Sequence, residues 1–133
     1  QKKLFLGNLY AKRDWGHAKD YVEAMWKMLQ QKNPNDFVIS TNKSYSVKQF
    51  IEKTFTKLNI KIVWKGKGLN EKGLNSSTGE TLIEIDPFYF RPREVNHLRG
   101  NNFKAKKLLK WKPKTSIDQL IDIMIKHELK LNK

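Results

Sequence analysis

Two short stretches hold the residues best suited to chemistry: Lys12-Arg13-Asp14-Trp15-Gly16-His17-Ala18 and Tyr89-Phe90-Arg91-Pro92-Arg93-Glu94-Val95. Each sets an arginine among aromatic and acidic neighbours where a strand or loop meets a helix. A guanidinium presents a planar fork of donors that grips phosphate oxygens in pairs. The chain has 4 arginines against 23 lysines. Where lysine is the default cation, an arginine in a non-repetitive setting points to a geometric requirement. Asp14 can orient Arg13, and Trp15 offers a flat wall; the plain alternative is an exposed Arg–Asp pair, which is worth little. Arg91 precedes Pro92, which restricts the local backbone, and Glu94 follows three residues on. An arginine for a diphosphate and a carboxylate for sugar or ribose hydroxyls make a workable pair. Arg93 lies between them and is an alternative contact that periodicity does not separate from Arg91.

Other chemistries lack their residues. There is no Gly-x-Ser-x-Gly nucleophile turn. No tyrosine is followed four residues later by lysine: Tyr10, Tyr21, Tyr45 and Tyr89 meet Asp14, Met25, Gln49 and Arg93. His17, His97 and His127 have no partner at metal-ligand spacing, and there is no cysteine, so a zinc site is not expected. Gly66-Lys67-Gly68 follows an apolar run, but no helical pattern follows it. A dinucleotide turn needs the helix that comes next, so a surface loop is expected there.

The net charge of +14 raises nucleic acid as a partner. The excess is lysine spread from Lys2 to Lys133, and asparagine is also abundant at 11 residues. That pairing reads as compositional bias more than a phosphate-tracking stripe, so nucleic acid is not the expected partner. No apolar run approaches the roughly 20 residues of a membrane span, and no signal peptide is expected at Gln1. A cytoplasmic location fits these features.

The elements that must position the two stretches are mixed. Leu4 to Leu6, Phe37 to Ile39, Ile60 to Trp64 and Thr81 to Ile85 read as strands. Ala18 to Gln31 reads as an amphipathic helix with Ala18, Tyr21, Val22, Met25, Met28 and Leu29 on its apolar face. Ser46 caps a helix carrying Val47, Phe50, Ile51, Thr54, Phe55 and Leu58. Lys65 to Gly79 holds 4 of the 7 glycines and reads as a long loop. Asn101 or Asn102 caps a short helix, and Ser116 caps the last one, with Ile117, Leu120, Ile121, Met124, Ile125 and Leu129 facing inward. Trp111 before Pro113 is expected to anchor the chain ahead of that helix. Strands interleaved with helices give an α/β class, and residues 1–133 are expected to form a single portion.

The two arginine-bearing strings, with Leu6-Gly7-Asn8-Leu9, Asp20 to Met25, Trp64 to Gly68, Asp86-Pro87 and Trp111 to Ser116, resemble the GDP-mannose 4,6-dehydratase family of extended short-chain dehydrogenase/reductases. The likeness runs from about residue 4 to residue 126. It implies a lyase that converts GDP-mannose to GDP-4-keto-6-deoxymannose with NADP, on the route to GDP-fucose and related deoxysugars. It assigns Arg13 and Arg91 to the diphosphate and Glu94 to the ribose. Tyr10, Arg93 and Asn96 depart from the family's usual residues. The glycine-rich NADP turn, the general base and the Tyr-x-x-x-Lys of the family are not in this sequence. The resemblance therefore implies a C-terminal substrate-binding lobe, inactive alone. Its partners would be a Rossmann half that binds NADP and, in the complete enzyme, further copies of itself. A basic nucleic-acid module and a non-catalytic scaffold are the alternatives.

Overall fold

The computed structural model describes residues 3–91 and 93–131. In chain order the elements are β1 (Leu4–Leu6), β2 (Lys12–Arg13), α1 (Ala18–Leu29), β3 (Tyr45–Ser46), α2 (Val47–Lys57), β4 (Ile62–Lys65), β5 (Lys72–Asn75), β6 (Thr81–Ile85), α3 (Phe103–Leu108) and α4 (Ile117–Leu131). They divide into two compact units, the described residues of 1–11 with 46–96 and those of 12–45 with 97–133.

The first unit is a four-stranded sheet of order β1-β6-β5-β4. β1 runs parallel to β6, and the other pairs are antiparallel. Its core is Leu9, Ile51 and Ile83, with Val47 and Phe55 of α2 and Ile62 and Trp64 of β4 packed on it. α2 begins where Ser46 makes a capping box: its hydroxyl accepts from Gln49 N, and Gln49 Oε1 accepts from Ser46 N. The expected loop at 65–79 is partly structured. Gly66 turns the chain at φ 81°, a value that favours glycine. One 3-10 turn, Gly68–Asn70, follows, and then Lys72–Asn75 pairs with both β4 and β6. Gly73 and its neighbours have little strand propensity of their own; the ladder on both sides holds them extended.

The second unit is mainly helical. Ala24 of α1, Ala105 of α3, Leu109 and Trp111 form its core, with Tyr21, Met28, Phe37 and Ile39 against them. The α1 face is only in part the expected one, with Tyr21 and Met28 on the core. Asp20 and Ala24 are buried, whereas Val22, Met25 and Leu29 are exposed. The helix is turned so that the small Ala24 meets the core and Asp20 reaches inward. Phe37 to Ile39 alternates inward and outward as a strand would, with Val38 exposed, but is not a strand among the described residues. Its Phe37 and Ile39 side chains pack against the core.

Trp111 is 1% exposed, and its indole N–H donates to the Asp20 carbonyl at 2.8 Å. It is the anchor the sequence suggests. Ser116 and Gln119 exchange hydrogen bonds at the start of α4 as Ser46 and Gln49 do at α2. Of the expected α4 face, Ile117 and Ile121 are buried, and Met124 and Leu129 are exposed. At α3, Asn102 occupies the cap position, but its amide donates to the Ser40 carbonyl; Asn101 accepts from Phe103 N.

Candidate functional site

Arg13 lies in β2 of the second unit, half-buried, with one guanidinium nitrogen donating to the Lys12 carbonyl at 2.8 Å. The residues after it are fixed by side chains reaching backbone. Asp14 Oδ1 accepts from the Thr41 amide at 2.8 Å and the Thr41 hydroxyl at 2.6 Å. Its other oxygen accepts from Gly100 N at 3.4 Å. Asp14 therefore fastens the strand end to two loops of its own unit; orienting Arg13, the role its place in the sequence suggests, is not its main work. His17 is the N-cap of α1, its Nδ1 accepting from Lys19 N at 3.1 Å. Trp15 lines a cavity of about 390 Å3 with Thr41, Lys43, Tyr45, Lys106 and Lys112.

Further along α1, Asp20 is 6% exposed and accepts from Lys114 N at 3.0 Å and Thr115 N at 2.9 Å. Burial pushes its carboxyl up, but these donors, with the Thr115 hydroxyl and the nearby His17, outweigh burial and hold it below the ordinary carboxylate value. The same interaction pins the segment after Trp111 to the helix that follows Arg13.

Arg91 and Glu94 belong to the first unit, on the irregular segment after β6. Arg91 and Arg93 are exposed, and Glu94 is half-buried. Pro92, expected to restrict this backbone, lies outside the described residues. The segment starts from a tight turn. Asp86 N extends the sheet by donating to the Leu6 carbonyl at 2.8 Å. Asp86 then accepts from Phe88 N through its carboxylate at 2.8 Å and from Tyr89 N through its carbonyl at 3.0 Å. This is an Asx turn, a geometry that aspartate side chains favour.

The sequence reading missed a polar cluster in the same unit. Glu71, 3% exposed, accepts from the Tyr10 hydroxyl at 2.8 and 3.0 Å and from Lys48 Nζ at 2.6 Å. The Lys48 ammonium also sits 4.5 Å from the Trp64 ring centre, a cation–π contact. Burial lowers the Lys48 pKa, but its contacts with Glu71 and Tyr10 outweigh that and raise it. Tyr10, one of the three residues that depart from the family pattern, supplies the hydroxyl of this cluster. That departure was the one signal in the sequence.

The glycine-rich turn raised by the sequence is not built for a dinucleotide. The Gly66–Gly68 turn leads into a single 3-10 turn and then β5. No helix dipole or row of first-turn amides meets a pyrophosphate there. Nor do any three of the described His, Asp or Glu residues converge as a metal site. No described helix is long and apolar enough to cross a membrane.

Comparison with known proteins adds the family. The chain matches the GDP-mannose 4,6 dehydratase family over residues 1–124. It is 51% identical over 130 residues to a GDP-mannose 4,6 dehydratase of Dictyostelium discoideum, covering 98% of this chain and 36% of that protein. It is also 51% identical over 126 residues to the Homo sapiens GDP-mannose 4,6 dehydratase, covering 95% and 34%. The chain thus spans about a third of the length of these curated relatives and corresponds to their C-terminal portion. Among solved structures, a UDP-glucose 4-epimerase of Thermotoga maritima with UDP-glucose superposes at TM-score 0.73 and 18% identity, covering 98% of this chain and 36% of that one. A dTDP-glucose 4,6-dehydratase of Bacillus anthracis in complex with NAD gives TM-score 0.66 at 20% identity, covering 96% and 36%. The fold is the α/β fold of the C-terminal part of such epimerases and dehydratases.

Proposed function

We propose, on the premise that this chain belongs to the GDP-mannose 4,6 dehydratase family, that it is the nucleotide-sugar-binding portion of such an enzyme. The observation that carries this reading is identity of about half the residues, over nearly the whole chain, to enzymes of that name. The substrate is GDP-mannose and the product GDP-4-keto-6-deoxymannose, a net loss of water catalysed by a lyase of deoxysugar biosynthesis. Arg13 and Arg91 are each assigned to the diphosphate, and Glu94 to the ribose hydroxyls. A guanidinium matches phosphate oxygens in number and plane, and a carboxylate accepts from a diol. The Gly66–Gly68 turn does not fit NADP, and its binding is assigned to residues outside this chain, which would make no product alone. The complete enzyme is placed in the cytoplasm as a homo-oligomer.

Calorimetry on the complete enzyme tests the assignment. Arg13→Ala should weaken GDP-mannose binding by about 1.5–3 kcal/mol, the worth of a hydrogen bond to a charged group. Unchanged affinity removes Arg13 from the site.

A further inference from the structure

We infer that Gly7 is a positioning residue for Arg91. The inference rests on the assignment of Arg91 to the diphosphate. β1 and β6 run parallel with Leu6 opposite Ile85, so both strands end at the same level. The Asp86 turn then folds the chain back, and the Tyr89 carbonyl lands against Gly7. A Cβ at position 7 would fall well inside contact distance of the Tyr89 carbonyl oxygen, 2.9 Å from its carbon and 3.4 Å from Phe90 N. All three atoms are backbone, so no rotamer change relieves the clash. The turn itself has to move, and Arg91 leaves the turn directly after Phe90.

Two of its aromatic side chains give the turn little hold. Phe88 is 86% exposed and Tyr89 55%, and their rings meet each other, edge to face, 5.4 Å apart. The turn lies outside the Leu9–Ile51–Ile83 core. Its place is set by the Asp86 hydrogen bonds and by the bare backbone of Gly7. Gly73 is the internal contrast. A Cβ there meets the side chains of Ile83, Trp64 and Ile62, so alanine would disturb packing and leave the Arg91 turn alone.

The test uses the complete enzyme, with GDP-mannose affinity from calorimetry and KM and kcat from initial rates. Gly7→Ala should weaken binding about 10-fold and raise KM with little change in kcat. Added to Arg91→Ala it should cost nothing more, the signature of two changes acting through one contact. Asp86→Ala, which loosens the same turn without adding bulk, should raise KM in the same direction, so the inference stays testable if Gly7→Ala folds poorly. Additive losses in the double variant overturn it, as does equal weakening by Gly73→Ala, or normal KM in both Gly7→Ala and Asp86→Ala. If Arg91→Ala alone leaves affinity unchanged, the assignment of Arg91 fails and the role of Gly7 fails with it. If Arg91→Ala weakens binding and the turn variants do not, only the role of Gly7 fails.

Discussion

The stretch that carries Arg13 and the stretch that carries Arg91 are secured by different physics. Around Arg13 a carboxylate ties backbone to backbone, Asp14 reaching Thr41 and Gly100. Around Arg91 the backbone meets itself, with Gly7 under the Tyr89 carbonyl and Asp86 closing the turn. The first arrangement is undone by removing charge, the second by adding one carbon atom. The two should therefore respond to different substitutions even if both arginines serve one ligand.

The largest effect expected is in the first unit, away from its arginine. Lys48→Met leaves the Glu71 carboxylate buried with only Tyr10 to answer it. Urea unfolding should show a loss of about 3 kcal/mol, the lower end for breaking a buried pair because the Tyr10 bond survives. Glu71→Gln in the same chain should recover part of it. GDP-mannose affinity of the folded complete enzyme should hardly move, which would separate stability from binding in this unit; a matching loss of affinity would contradict that separation.

Next comes Asp14→Ala, expected to cost about 1.5–3 kcal/mol as donors to a charged acceptor lose their partner. Here stability and affinity should fall together, since the same carboxylate holds the strand end that bears Arg13. A stability loss with intact affinity would show that Arg13 is positioned by something else.

The smallest effect is a pH dependence. The folded pKa of Asp20 lies below its unfolded value, so its contribution is present above about pH 4, the unfolded value, and is lost as pH falls through the folded pKa. Asp20→Asn should be about 1 kcal/mol less stable at neutral pH, the gap between charged and neutral hydrogen bonds. The difference should close on acidification. A gap that does not narrow as the pH falls would assign it to altered geometry.

What the sequence made legible was local. Ser46 and Ser116 read as helix caps and both are, each with a glutamine three residues on that returns the bond. Trp111 before Pro113 was readable as an anchor because few surface positions keep an indole. The failures were non-local. Lys72–Asn75 carries no strand signal of its own and is extended because two neighbouring strands flank it. Phe37 to Ile39 has the strand signal and lacks the ladder. The apolar stripe on α1 was half right: Tyr21 and Met28 pack against the core, but the buried residues are Ala24, which counts for little in a periodicity, and Asp20, which counts for nothing. For the site, the strings around Arg13 and Arg91 singled out two stretches, but not what holds them. Asp14 reads as the partner of its neighbour Arg13, and its actual partners are 27 and 86 residues away.

The tryptophans are shared unevenly between the units. Trp64 is the first unit's own, and Trp15, Trp26 and Trp111 belong to the second. Trp64 is tied to its surroundings at both ends, its indole N–H donating to Glu52 at 2.7 Å and its ring under the Lys48 ammonium. Replacing it with phenylalanine leaves a tryptophan emission spectrum, excited beyond tyrosine absorption, that comes from the second unit alone. Subtracting that spectrum from the parent's isolates the first. The chain thus carries an optical label for each half of its fold, and whether the halves melt in one step or two can be read without attaching a dye.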